Sequence, residues 1–160
     1  MALEIKTANF SKEIAGGLIV AFTLDEGRYG LHLAAVERIT RMVEITALPR
    51  APEIVLGAIN VEGNIIPVVN VRRRFGLPPR ELKLSDHLIL ARTSRRKVAL
   101  ATDGVAGVVR PEETITADRI CPRLPHMEGV VKGEDGLILI YDLDLFLSLE
   151  EEKALDQAII

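Results

Sequence analysis

Residues 48–76, LPRAPEIVLGAINVEGNIIPVVNVRRRFG, decide how the rest of this sequence is read. Two apolar runs, IVLGAINV and IIPVVNV, flank Glu62-Gly63-Asn64, and this pattern predicts strand, tight turn, strand. The double-proline loop Leu48-Pro49-Arg50-Ala51-Pro52 turns the chain before them, because residues preceding proline are pushed out of the helical region. EIVLG is expected to form one helical turn ended by Gly57. Pro67 donates no ladder hydrogen bond, so the second strand is expected to lie at an edge or carry a bulge. Asn70 is placed to cap a short helix, VRRRF, which Gly76 and Pro78-Pro79 end. What the hydrophobic pattern leaves unexplained is a lone carboxylate, Glu62, at the tip between the two strands.

Working outward, the same strand-and-turn grammar recurs. LIVAFTL (18–24), a turn at Asp25-Glu26-Gly27 and RYGLHL (28–33) read as a hairpin. AAVERIT (34–40) fits either a helical turn or extended chain. From Asp86 onward HLILART, VALATD, GVAGVVR and ETITA read as four short strands, with a basic turn at residues 94–97. Residues 119–125 read as an irregular connection. GVVKGEDGLILIYDLDLFLSLEEEKAL reads as strand, glycine-rich turn, strand and then an amphipathic helix from about Leu143, capped by Asp142. GAINVEGNIIPVVNVRRRFG and GVVKGEDGLILIYDLDLFLS form a weak internal repeat: glycine, strand, acidic or glycine turn, apolar strand, Asn or Asp cap, short helix with a phenylalanine. Many short strands and an internal repeat predict a mostly β chain built as two small barrel lobes, one of them covered by the C-terminal helix.

The chain of 160 residues and 17.6 kDa is long enough to bury a core shared by two such lobes. Its single cysteine, Cys121, forms no internal disulfide, which suits a reducing compartment, with the cytoplasm the default. Net charge is −3 and the basic residues are dispersed, so nucleic acid is not favoured as a partner. The apolar runs fall far short of the roughly 20 residues that span a bilayer, and the N-terminus lacks the layout of a signal peptide. No membrane insertion is expected.

No catalytic, cofactor-binding or metal-binding residues are assigned. His32 and His87 lie at strand ends, where hydrogen-bonded structural or surface roles are expected. Cys121 and His126 share a loop but lack the further ligands zinc requires. There is no Gly-x-Ser-x-Gly elbow, Cys121 has no evident base, and Gly104 and Gly107 do not make a phosphate loop. Asp103-Gly104 is expected to be a plain turn. Arg72-Arg73-Arg74 point around a helix and cannot all face one ligand, so solvation is expected, with an acidic partner the alternative.

The opening stretch, read with VERI (36–39), DGVAGVV (103–109) and LILIYDLDLFL, resembles the CheW-like chemotaxis adaptor (coupling protein) family. The match rests on Pro-x-Ala-Pro and on the spacing of Gly57, Ile59, Asn60, Gly63, Pro67 and Val68. The resemblance implies two SH3-like five-stranded β-barrel lobes sharing a hydrophobic core, with short helices including a C-terminal one. It divides the chain into a lead-in (1–16), a single domain of two intertwined lobes (17–150) and a helix end or tail (151–160). It further implies a non-enzymatic adaptor without cofactor, whose partners are the regulatory domain of the histidine kinase CheA and the cytoplasmic tip of a methyl-accepting chemoreceptor. Carried over residue by residue, the partner-binding positions are Val36, Arg38, Ile39, Glu62, Gly63, Asn64, Val105 and Val108. Two departures stand out: the family usually carries Glu at the position of Arg38 and Arg at that of Glu62. A double sign reversal predicts that Arg38 and Glu62 face each other as an exchanged pair, and it implies a non-standard chemosensory pathway. Ile59, Val61, Val68, Leu139 and Ile140 are expected to include core positions. The alternative function, a small β-barrel binding oligonucleotide or sugar, would want exposed aromatic side chains, and the chain has two Tyr, four Phe and no Trp.

Overall fold

The computed structural model describes residues 17–111, 113–116 and 127–159, where short apolar runs become strands punctuated by turns. They are β1 (Ile19–Leu24), β2 (Gly27–His32), β3 (Val36–Arg41), β4 (Val55–Val61), β5 (Asn64–Val69), β6 (His87–Arg92), β7 (Lys97–Thr102), β8 (Gly104–Val109), β9 (Glu113–Thr116), β10 (Met127–Gly133) and β11 (Gly136–Tyr141). Two α-helices accompany them, α1 (Val71–Arg74) and α2 (Leu149–Ala158). One sheet, lobe A, runs β8-β1-β2-β11-β10-β9, and the other, lobe B, runs β3-β6-β7-β5-β4. Lobe A therefore takes strands from both ends of the chain, with lobe B inserted between them.

Alternation along the strands explains why they read as nearly continuous apolar runs. In β1, Ile19 and Ala21 enter the core of lobe A with Val131, Ile138 and Ile140, whereas Val20, Phe22 and Leu24 point into a core between the lobes. In lobe B, Leu88 and Leu90 pack with Ile59, Ile66, Val68, Ala99 and Ala101, while Ile89 and Ala91 face the same shared core. A strand buried on both faces has no polar side to show. The shared core is stitched by an aromatic cluster: Phe75 stacks on Tyr141 at 4.1 Å and meets Tyr29 at 4.9 Å and Phe146 at 5.6 Å. Gly30 of β2 leaves no room for a side chain beneath the apolar residues of its neighbours β1 and β11. A Cβ there would sit 2.5 Å from Ile19 Cγ2 and 2.7 Å from Ile140 Cδ1.

Both sheets curl into barrels. In lobe B, Thr46, which follows β3, bridges to Ala58 of β4 at the opposite edge, and the backbones exchange hydrogen bonds of 2.9 and 2.8 Å. Gly57 lies at this seam. Its φ is +153°, and a Cβ would meet the Thr46 carbonyl oxygen at 2.4 Å. In lobe A only residues 110–112 separate β8 from β9, the two edge strands. The two edges of this six-stranded sheet are thus formed by strands consecutive in the chain.

Several local expectations are revised. EIVLG is not a helical turn: Glu53 and Ile54 form a turn and β4 has begun by Val55, with a bulge between Val55 and Gly57. Pro67 lies in an inner strand, yet β5 pairs with β7 only at Val68 and Val69, so Pro67 has a ladder with β4 alone. AAVERIT does both things its sequence allowed, a 3-10 turn at Leu33–Ala35 followed by β3. Asn70 caps α1, accepting from the Arg73 N–H at 3.1 Å. The C-terminal helix begins later than Leu143. Asp142 caps a 3-10 turn (Leu143–Leu145), and Ser148 with Glu151 forms the capping box of α2. Ile59, Val68 and Ile140 are buried, whereas Val61 and Leu139 are half-buried beside the lobe B core and the shared core. Cys121 and His126 lie outside the described residues.

Candidate partner-binding surface

A β-bulge determines which side chains of β3 reach the surface. In a regular strand Val36 and Arg38 would share a face, but the register against β6 shifts between them and Glu37 is the extra residue. Val36 and Ile39, three apart, thereby both face the core, and Arg38 is turned outward. Neither Val36 nor Ile39 has surface to offer a partner. Both were expected to be contact residues and instead hold β3 in place.

The outward Arg38 reaches the tip of the β4–β5 hairpin, where its Nη2 donates to Glu62 Oε1 at 3.3 Å. A flat sheet of five strands would hold its edges roughly 19 Å apart, so this contact depends on barrel closure. The tip is a two-residue turn in which Glu62 (φ 52°) and Gly63 (φ 86°) both take left-handed backbone, the pairing that type I′ hairpins need. Asn64 is already the first residue of β5, and Asn60 Oδ1 accepts from the Gly63 N–H at 3.0 Å. A non-glycine residue in this region is strained, and such strain clusters at functional sites. Glu62 is 78% exposed and Arg38 27%. The predicted ion pair therefore forms, at an exposed hairpin tip.

Val105 and Val108 lie on β8 of lobe A, opposite Phe22 and Val20 of β1, half-buried against the shared core. They are edge-strand positions with part of each side chain available. Of the eight carried-over residues, the fold joins Arg38, Glu62, Gly63 and Asn64 at one rim, puts Val105 and Val108 on the other lobe and buries two.

The arginine block is not a solvated face. Each arginine points in its own direction, as a helix requires, and each finds a carboxylate. Arg72 is buried, donating from Nη2 to Asp25 Oδ1 (2.7 Å) and Asp103 Oδ2 (2.6 Å) and from Nη1 to the Pro78 carbonyl (3.2 Å). Arg73 pairs with Glu53, and Arg74 with Glu151. Arg80 extends the chain of charges, donating from Nη2 to Asp103 Oδ1 (2.5 Å) and Asp86 Oδ1 (2.9 Å). Asp103 is thus the hub of a clasp joining the β1–β2 turn of lobe A to α1 and the start of β6 in lobe B, more than the plain turn expected. Burial acts to raise its pKa, but hydrogen bonds from Arg72, Arg80 and the Asp25 N–H outweigh that and hold it below the ordinary value. The Arg72 guanidinium is raised, chiefly by its bond to Asp25. Sequence spacing carried no signal of this clasp, whose partners lie 47, 31 and 23 residues apart.

Residues 18–151 match the CheW-like domain. This chain belongs to the CheW-like family. Similar proteins include the chemotaxis protein CheW of Thermotoga maritima, 31% identical over 131 residues that take in 79% of this chain and 84% of that protein. Another is the chemotaxis protein CheW of Rhizobium meliloti, 27% identical over 155 residues covering 91% and 98%. In structure the CheW-like chain is similar to the scaffolding protein TtCheW from Thermoanaerobacter tengcongensis, with a TM-score of 0.76 and 29% identity over 85% of this chain and 95% of that one. A CheW-like chain is a chemotaxis scaffolding or adaptor protein, and the oligonucleotide or sugar alternative finds no support. Every described aromatic side chain is committed to the cluster between the lobes, leaving none as a stacking platform. No helix among the described residues is long and apolar enough to cross a membrane.

Proposed function

We propose that this chain is a non-enzymatic adaptor acting on the cytoplasmic side, coupling methyl-accepting chemoreceptors to the regulatory domain of the histidine kinase CheA. The rim at Arg38 and Glu62 selects its partners, and Val105 and Val108 contribute an apolar edge. Family membership and the likeness to a scaffolding protein support the adaptor role. The observation that carries the specificity reading is the 3.3 Å contact between Arg38 and Glu62, in the reverse order of the family's usual Glu and Arg. An exposed pair contributes only about 0.2–1 kcal/mol, so stability is a weak reason for matching a charge on β3 to one on a strained turn. Partner choice is a stronger one. A surface built for the usual order would meet like charges here, and such juxtaposition discriminates more than it binds.

The test is co-purification of the tagged chain from its own cells, probing for a histidine kinase and a chemoreceptor. Both should be recovered. Arg38→Glu or Glu62→Arg alone should reduce recovery, and the double exchange should restore the internal pair while moving preference toward partners of the usual family type. Recovery of neither partner would overturn the adaptor reading for this chain; unchanged partner choice in all three variants would overturn the role of the rim.

A further inference from the structure

The segments that follow the two repeated hairpins carry opposite charges, and they meet. After β5 comes Val71-Arg72-Arg73-Arg74, and after β11 comes an acidic stretch that ends in Leu149-Glu150-Glu151-Glu152. Helix α2 presents Glu151, Glu152, Leu155 and Asp156 within roughly 140° of its circumference. Arg74 Nη2 donates to Glu151 Oε1 at 2.5 Å, Arg96 Nε to Glu152 Oε2 at 2.6 Å, and Arg96 also pairs with Asp156. Leu155 enters the shared core, and it and Glu152 are the buried residues of the helix. α2 is thus held by a charged zipper around a narrow apolar stripe.

The fit is incomplete. Among the described residues Arg74 Nε is buried without an acceptor, and the Glu151 oxygen beside it is shared with the Ser148 N–H at 2.7 Å. A cavity of about 320 Å³ opens between the first turn of α2 and the β6–β7 turn, lined by Thr93, Arg95, Leu145, Leu149 and Glu152 among others. Leu145 and Leu149 at its mouth are 50% and 60% exposed. An unmet buried donor weakens the dock, and a charged zipper weakens further as salt screens it.

We propose that Arg74, Arg96 and the seat of Leu155 form a docking site for an acidic amphipathic helix, occupied in cis by α2 and taken by a partner's helix when α2 lifts. Charge complementarity and the cis occupant define the ligand: two adjacent acids, a leucine three or four residues on, and a further acid beside it. The hinge is Ser148, the N-cap of α2, because Phe146 and Leu147 before it are anchored in the shared core.

A fluorescein-labelled synthetic peptide of residues 147–159 probes the site by anisotropy against the full chain. A helix tethered in cis competes at high effective concentration, so the peptide should bind the Leu155→Ala chain about tenfold or more tighter than the wild type. A chain carrying Glu152→Gln and Asp156→Asn loosens α2 through charge alone and should bind likewise. Binding should fall at least about tenfold in either background on adding Arg96→Gln, and again at high salt. Amide spectra of the β-sheets check that each variant keeps its fold. No binding to either loosened chain, or binding indifferent to Arg96, overturns the site. If light scattering shows that the loosened chains dimerise without peptide in an Arg96-dependent way, a second copy replaces the foreign helix as occupant and that part of the assignment fails.

Discussion

Hairpin β4–β5 and hairpin β10–β11 follow one backbone plan. Each first strand carries a bulge before a glycine, between Val55 and Gly57 and between Met127 and Gly129. Each second strand also makes a short parallel pairing, β5 with β7 and β11 with β2, and each ends on a capping side chain, Asn70 or Asp142. Each tip bears an acid within reach of an arginine, Glu62 with Arg38 at 3.3 Å and Asp135 with Arg28 at 3.7 Å, and just beyond it an exposed aliphatic, Ile65 or Leu137. The tails differ. One is basic and hydrogen-bonded into the clasp, the other acidic and extended into α2. Glycine, cap and apolar positions are dictated by backbone geometry and are shared, whereas charge, which the backbone does not dictate, has become complementary, so that the two tails bind each other through Arg74 and Glu151.

The largest effects should come from the cores that the two lobes do not share. Ile140→Ala in lobe A and Ile59→Ala in lobe B should each cost about 2–5 kcal/mol, read by denaturant unfolding. Because a third core joins the lobes, each variant should still unfold in one transition; two separated transitions would mean that the lobes are independent.

Within the arginine block, Arg72→Met should cost about 3 kcal/mol, the low end for breaking a buried pair because Asp25 is half exposed. Arg73→Met, whose pair with Glu53 is exposed, should stay within about 0.5 kcal/mol. Asp103 titrates below its ordinary value in the folded chain. Its contribution is therefore complete above the unfolded pKa of about 3.9 and is lost as pH falls through the folded one. The wild type should show this loss of stability below about pH 4, and Arg72→Met should flatten it. Equal costs for the two arginines, or an unchanged acid limb, would sink the clasp.

The smallest effect distinguishes the hairpin tips. A double-mutant cycle on Arg38 and Glu62 should give a coupling of about 0.2–1 kcal/mol in stability, while the same cycle on the longer Arg28–Asp135 contact should give less. Strict additivity at Arg38 and Glu62 would leave Glu62 a solvated turn residue.

The sequence alone determined the strand grammar, the Asn70 cap, the repeat and, through Pro-x-Ala-Pro and the spacing after Gly57, the family. These are local signals: apolar alternation, turn residues and caps act over a few positions, and so can be read in order along the chain. It also pointed to the Arg38–Glu62 pair, because two motifs departed from the family pattern together. The Ser148-x-x-Glu151 capping box was equally local and was missed because Asp142 offered an earlier cap. Tertiary structure decided the rest. Val36 and Ile39 are buried because a bulge at Glu37 resets the alternation of β3, and a bulge is a property of two paired strands. Arg72 is buried because closing the barrels brings Asp25 and Asp103 to it from 47 and 31 residues away. A charge has no periodicity that names its partner, so only the fold could show which arginines were solvated and which held the lobes together.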